Sequence, residues 1–179
     1  MTEMEFTFKA IGVLKTPYRS KGGVPIQGIF TPESKGRAEI FEAYGQGLQD
    51  IEAFSRLILL YVFHQSEGYE LICKPYMDDT LHGVFAIRAP KRPNPVGFSV
   101  VRLEKREGNI LHLAEVDMLD GTPLLDIKPF VPKFDHREDV RVGWMGSLEG
   151  LNRVGFLAIN SEKMGTKDHP KIESATSPA

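Results

Sequence analysis

Four segments of the chain concentrate the side chains that could do chemistry: Val24-Pro25-Ile26-Gln27-Gly28, His64-Gln65, Arg88 to Gly97 (RAPKRPNPVG), and Asp117-Met118-Leu119-Asp120-Gly121-Thr122-Pro123, which runs on to Asp126-Ile127-Lys128-Pro129. Arg88 stands where a strand should meet a proline-rich loop. A guanidinium held there is a fixed fork for a carboxylate. Asp120, in a tight Asp-Gly turn, can accept hydrogen bonds from a hydroxyl or an ammonium. The backbone of Met118, Leu119 and Gly121 can read the edge of a heterocycle. Gln27 and Gln65 offer uncharged carbonyls. Lys91, Arg92 and Asn94 sit in a loop stiffened by Pro90, Pro93 and Pro95, and two cations with an amide suit phosphate and base-edge contacts.

Each of these residues also has a plainer reading. Arg88 can be a solvated strand end, and Asp-Gly-Thr-Pro can be only a turn. A histidine closing an apolar strand is often a satisfied core residue. Phe98 can be an apolar wall for a ligand or a core phenylalanine. Arg102, Lys105 and Arg106 can extend the basic loop or face water.

The elements that must position these loops are mostly short strands. Residues 4–16 alternate Phe6, Phe8, Ile11 and Val13 and read as a strand. Residues 17–37 form a long irregular loop, of the kind that is functional or disordered. A short strand follows at 38–44, then one or two helical turns at 48–55. The apolar run LILLYVF at 57–63 reads as a strand covered on both faces. Strands are expected at 69–74 and 83–89. A hairpin spans 97–106 and 110–117, joined by Glu107-Gly108-Asn109. A further strand is expected at 123–130, with its prolines near its ends, and another at 140–145. Seven to nine short strands with little helix predict an all-β fold: a small antiparallel β-barrel with short helical turns and irregular loops. One domain is expected over residues 1–163, followed by a polar, disordered tail at 164–179.

The composition is that of a globular protein: 179 residues, 41% apolar and 26% charged. No apolar run approaches the roughly 20 residues of a membrane span. The acidic N-terminus is unlike a signal peptide, so a cytoplasmic location is expected. The single Cys73 suits a reducing compartment and reads as a small core-facing residue. Rossmann, Walker A and nucleophile-elbow motifs are lacking. The five histidines have no zinc-ligand spacing, and no metal site is expected. A net charge of −2 does not announce a nucleic-acid binder, so any RNA contact must be local.

Taken together, the strand ending in His64-Gln65, the stretch RPNPVG and the stretch LDGTPLLDIKP resemble the TsaA-like, or TrmO, family of tRNA methyltransferases over about residues 8–135. The resemblance implies a β-barrel that binds S-adenosyl-L-methionine and acts as a homodimer. It implies methylation of N6 on the N6-threonylcarbamoyladenosine beside the anticodon of tRNA. The cofactor-binding residues would be Pro25, Ile26, Gln27, His64, Gln65, Arg88, Phe98, Met118, Leu119, Asp120 and Gly121. The RNA contacts would be Lys91, Arg92 and Asn94. Bacterial members are expected to carry a further C-terminal domain, whereas this chain ends soon after the barrel. No general base is assigned: Asp120, Asp126 or a water could take the proton. Two other readings stand beside this one: a non-catalytic barrel that binds S-adenosylmethionine or a nucleoside, and a methyltransferase acting on a small molecule.

Overall fold

The computed structural model describes residues 4–147. Among the described residues eight strands form in this order: β1 (Gly12–Lys15), β2 (Lys35–Ile40), β3 (Arg56–Val62), β4 (Ile72–Cys73), β5 (His82–Gly83), β6 (Val96–Glu107), β7 (Ile110–Ala114) and β8 (Thr122–Pro129). Six of them close an antiparallel barrel in the order β1-β2-β7-β6-β3-β8, while β4 and β5 form a separate two-stranded ladder. The expected all-β barrel with short helical turns is the fold observed. Among the described residues, no helix is long and apolar enough to cross a membrane.

Period-two alternation builds the core. Along β3, Leu57, Leu59 and Tyr61 point inward and are buried, and Ile58, Leu60 and Val62 between them are half-buried. They meet Leu14, Ala38, Val101, Leu111, Leu113 and Leu124 from the other five strands. Burying one such side chain contributes about 1.5–3 kcal/mol. Glycine fits where strands crowd: a Cβ at Gly97 would stand 2.2 Å from the Tyr61 ring. The β6–β7 hairpin turns at Gly108, whose φ of 61° suits glycine.

Several expected elements differ. The strand expected at 4–16 is confined to Gly12–Lys15, and Phe6 and Phe8 are exposed. The ladder with β2 runs out at Gly12↔Ile40, one further bond joining Phe41 N–H to Ile11 C=O, so residues before it have no partner strand. The strand expected at 38–44 begins earlier, at Lys35, and stops at Ile40. Residues Glu42–Leu48 then coil into a 3-10 helix that buries Leu48, and Ile51–Ala53 form another. The strand expected at 83–89 is only His82–Gly83 followed by a 3-10 turn, Val84–Ala86. The strand expected at 140–145 is absent, with Gly143–Ser147 a 3-10 turn. Cys73 lies half-buried in β4, outside the barrel core rather than in it. The chain divides into one compact unit ending at Val140 and a second beginning at Arg141. The expected boundary at 163 and the tail at 164–179 lie outside the described residues.

Antiparallel pairing decides where the loops go. β1 ends, β2 begins, β7 ends, β6 begins, β3 ends and β8 begins at the same end of the barrel, as the pairs Lys15↔Arg37, Lys35↔Ala114, Val62↔Val96 and Leu14↔Thr122 require. The first three chemically rich segments and the Asp117–Pro123 part of the fourth therefore lie at that one end, whereas Asp126–Pro129 run along β8 toward the other.

Candidate functional site

Arg88 is the centre of one group at this end. Its guanidinium donates to Gln27 Oε1 at 3.1 Å and lies 5.7 Å from the centroid of the Phe98 ring. A cation over a ring face is held electrostatically, by roughly 0.5–1 kcal/mol when exposed. Arg88 and Phe98 are both exposed, so a guanidinium and an aromatic face are offered together to solvent. Gln27 keeps its amide turned back, Nε2 donating to Ile26 C=O at 2.8 Å, and half-buried Pro25 precedes it. Phe98 faces outward from β6 and is not a core phenylalanine.

Behind this group runs a hydrogen-bonded chain. Asp117 accepts the Gly28 N–H on Oδ2 at 2.8 Å and the Ser99 hydroxyl on Oδ1 at 2.5 Å. Ser99 Oγ is also 3.0 Å from the Tyr61 hydroxyl. Burial pushes the Asp117 carboxyl up to about 6, while its bonds from Ser99 and Gly28 and the nearby Arg88 cation hold it down. Burial also pushes the Tyr61 phenol well up, with the Asp117 charge adding to it. Asp117 thus ties the loop before β8 to the loop carrying Gln27. Gly28 must be glycine there, because a Cβ would meet the Glu115 carbonyl oxygen at 1.8 Å.

Glu115 carries a positive φ of 65°, a strained conformation for a residue with a side chain. Arg56 holds its buried carboxylate through two hydrogen bonds, at 2.6 and 3.0 Å. Asp117 opens one of the four segments but was given no role, and Tyr61, Ser99 and Glu115 were given no site role by sequence reasoning. The available signal was a polar misfit: Ser99 and Tyr61 occupy inward positions in line with apolar ones, Val101 on β6 and Leu57 and Leu59 on β3.

The second group surrounds the Asp-Gly turn. Asp120 accepts the Thr16 N–H on Oδ1 at 3.1 Å and pairs with Arg19 through Oδ2 at 2.7 Å. Its own N–H donates to Tyr18 C=O, and Gly121 N–H donates to Leu14 C=O. Gly121, at φ 78°, makes the turn. Met118 is buried, and its carbonyl accepts the Thr16 hydroxyl. Leu119 C=O accepts the Thr122 hydroxyl at 2.7 Å, which lies 3.3 Å from His64 Nδ1. His64 and Gln65 are exposed, and Lys21 Nζ donates to Gln65 C=O.

The Arg88–Gly97 loop is stiff for reasons beyond proline. Arg92 turns its guanidinium inward, toward the carbonyls of Ile87 and Ala89 at 3.2 and 3.4 Å. Lys91 pairs with Glu70 at 2.9 Å. Asn94 is exposed, and its carbonyl accepts the Val96 N–H. Asp126, weighed as a proton acceptor, pairs with Lys128 on β8.

With this geometry in view, similarity to known proteins is informative. Residues 13–136 match a family described as the tRNA-methyltransferase O N-terminal domain. A Pyrococcus abyssi protein named as a probable S-adenosyl-L-methionine-binding protein is 52% identical over 138 residues, 77% of this chain and 75% of that one. An Escherichia coli protein named tRNA (adenine(37)-N6)-methyltransferase is 36% identical over 180 residues, covering 93% and 77%. A crystal structure of TrmO from Pseudomonas aeruginosa superposes with a TM-score of 0.67 at 37% identity, covering 79% of this chain and 63% of that one. The chain therefore spans somewhat under two thirds of that solved relative.

Proposed function

The chain belongs to the family of the tRNA-methyltransferase O N-terminal domain, and from that premise we propose that it is an S-adenosyl-L-methionine-dependent tRNA (adenine-N6) methyltransferase. The observation that carries this reading is the exposed guanidinium of Arg88, fixed between Gln27 Oε1 and the Phe98 ring at the loop end of the barrel. The donor set fits the cofactor. Arg88 would take its carboxylate and Phe98 would pack against its adenine. The backbone of Leu119 and Gly121 would read the adenine edge, Asp120 would accept from a hydroxyl or the ammonium, and Gln27 and Gln65 would place neutral oxygens near the sulfonium. Pro25, Ile26, His64 and Met118 complete the proposed set.

S-adenosylmethionine, when bound, supplies a methyl group on a sulfonium. The chain's own work is then to hold donor and acceptor in line, which lowers a displacement barrier mainly through orientation. The network Tyr61–Ser99–Asp117–Gly28 serves that end by fixing the Gln27 loop against β6. The acceptor nitrogen must shed a proton as it gains the methyl. Asp120, Asp126 or a water could take it, each aspartate being ion-paired in the free chain.

The substrate fitting this reading most closely is N6-threonylcarbamoyladenosine beside the anticodon, with Lys91, Arg92 and Asn94 contacting RNA. A homodimer in the cytoplasm completes the proposal. Exposed Tyr69, Leu71, Ile72, Leu81 and Phe85 give the 69–85 region apolar surface that a second copy would cover. Transfer of labelled methyl from S-adenosylmethionine to tRNA tests the whole. Cofactor binding without transfer would return the chain to the non-catalytic reading.

A further inference from the structure

Of the loop cations expected to meet RNA, Arg92 is committed to backbone carbonyls, and Lys91 keeps one exposed pair with Glu70. The strands themselves carry a second set. Register places Lys15 opposite Arg37, Arg37 opposite His112 and His112 opposite Lys105. Because Leu14, Ala38, Leu111 and Leu113 face the core, these four face outward and form one row across β1, β2, β7 and β6. Neighbouring strands are about 4.8 Å apart, so the row spans roughly 14 Å.

Beside the row, a shallow cavity of about 550 Å³ is lined by Lys15, Thr16, Arg19, Lys35, Arg37 and His112, together with Asp120. Four cations face one carboxylate there, in a chain whose net charge is −2. Arg37 pairs with Glu39, Lys35 with Glu104, Arg19 with Asp120, and Lys105 and His112 with Glu107. Exposed pairs of this kind are worth about 0–1 kcal/mol, so an arriving phosphate can compete for the cations. Lys15 makes no ion pair among the described residues. The lining residue Asp120 belongs to the turn at the proposed cofactor end, so the cavity leads from the barrel's outer face to that end.

We infer that this outer face, from Lys15 and Arg37 on to His112 and Lys105, is a track for the phosphate backbone of the RNA substrate. The inference rests on the tRNA reading above. Strands fix the cations before binding, and contacts to phosphate orient a nucleic acid without reading its sequence.

The test uses the full chain, a fluorescent tRNA and a salt series, with Lys15→Gln plus Arg37→Gln compared with wild type. The double variant should bind tRNA about tenfold or more weakly. Its slope of log affinity against log salt should be shallower by roughly 1.4–1.8, the value for two lost phosphate contacts. Lys15→Gln alone, which breaks no ion pair, should give about half that change in slope. S-adenosylmethionine affinity should stay at the wild-type value in both. Wild-type tRNA affinity and slope in the variants would overturn the inference while leaving the proposed function standing. A wild-type chain that binds no tRNA would overturn both. Displacement of tRNA by low-millimolar inorganic phosphate at constant ionic strength would mark a discrete anion pocket and also overturn the track.

Discussion

The Gly28 N–H donates to Asp117 Oδ2 at 2.8 Å, joining the loop after β1 to the loop before β8. This one bond secures the segment that presents Gln27 to Arg88, and it depends on a carboxyl pushed up to about 6 by burial. A carboxyl raised from 3.8 in the fold favours its protonated form there. The stability it contributes is therefore fully present below about 3.8 and is lost as pH rises through about 6, by at most roughly 2–3 kcal/mol. Asp117→Asn keeps an acceptor for Gly28 and gains a donor toward Ser99. It should melt several degrees above wild type at pH 8 and level with it at pH 4. A constant difference across that range, measured by thermal melts, would assign the shift to another group.

Arg88 lies exposed, so its loss should cost little stability. Arg88→Ala should weaken S-adenosylmethionine binding by about 1.5–3 kcal/mol, the range for a hydrogen bond to a charged group. Calorimetry and a melting curve on the same sample read both. Intact affinity with a collapsed melting temperature would make Arg88 structural.

Lys91 and Arg92 are adjacent but should separate on mutation. Arg92 donates to Ile87 and Ala89 carbonyls and holds its loop, whereas Lys91 makes one exposed pair with Glu70. Arg92→Ala should lower stability by about 1 kcal/mol, whereas Lys91→Ala should leave it near the wild-type value. Both should weaken tRNA binding if the loop meets RNA. Equal stability effects, by denaturant titration, would contradict the inward role of Arg92.

The exposed apolar surface around Leu71, Ile72 and Phe85 predicts a dimer. Light scattering should give twice the monomer mass at micromolar concentration. Phe85→Asp should shift it toward the monomer, and a monomeric wild type would require that surface to meet something else.

The barrel was legible as short apolar or alternating runs between turn signals, but LILLYVF, read as covered on both faces, has Leu57 and Leu59 inward and Ile58, Leu60 and Val62 only half-buried, a distinction no alternation in the sequence reports. Residues 83–89 misled because Val84 and Ile87 are buried at a 3-10 turn rather than along a strand. Phe6 and Phe8 alternate correctly but have no ladder to join. For the site, the loops were legible from their proline, glycine and charged residues, and antiparallel pairing brings them to one end. The Asp117–Ser99–Tyr61 chain was not legible, since it joins three elements distant in sequence through bonds that no spacing reports. The basic row was hidden for the same reason: Lys15, Arg37 and His112 become neighbours only through strand register.

Methyl transfer to an adenine N6 in tRNA can be followed in a single labelling assay. Wild-type protein and Arg88→Ala are incubated with S-adenosylmethionine labelled in its methyl group and with total tRNA, and the nucleosides are then resolved by mass spectrometry. A labelled methyl is expected on N6 of the hypermodified adenosine beside the anticodon with wild type, and at least a tenfold slower appearance with Arg88→Ala at limiting cofactor. Label absent from tRNA, in a wild-type sample that calorimetry shows to bind the cofactor, would contradict it.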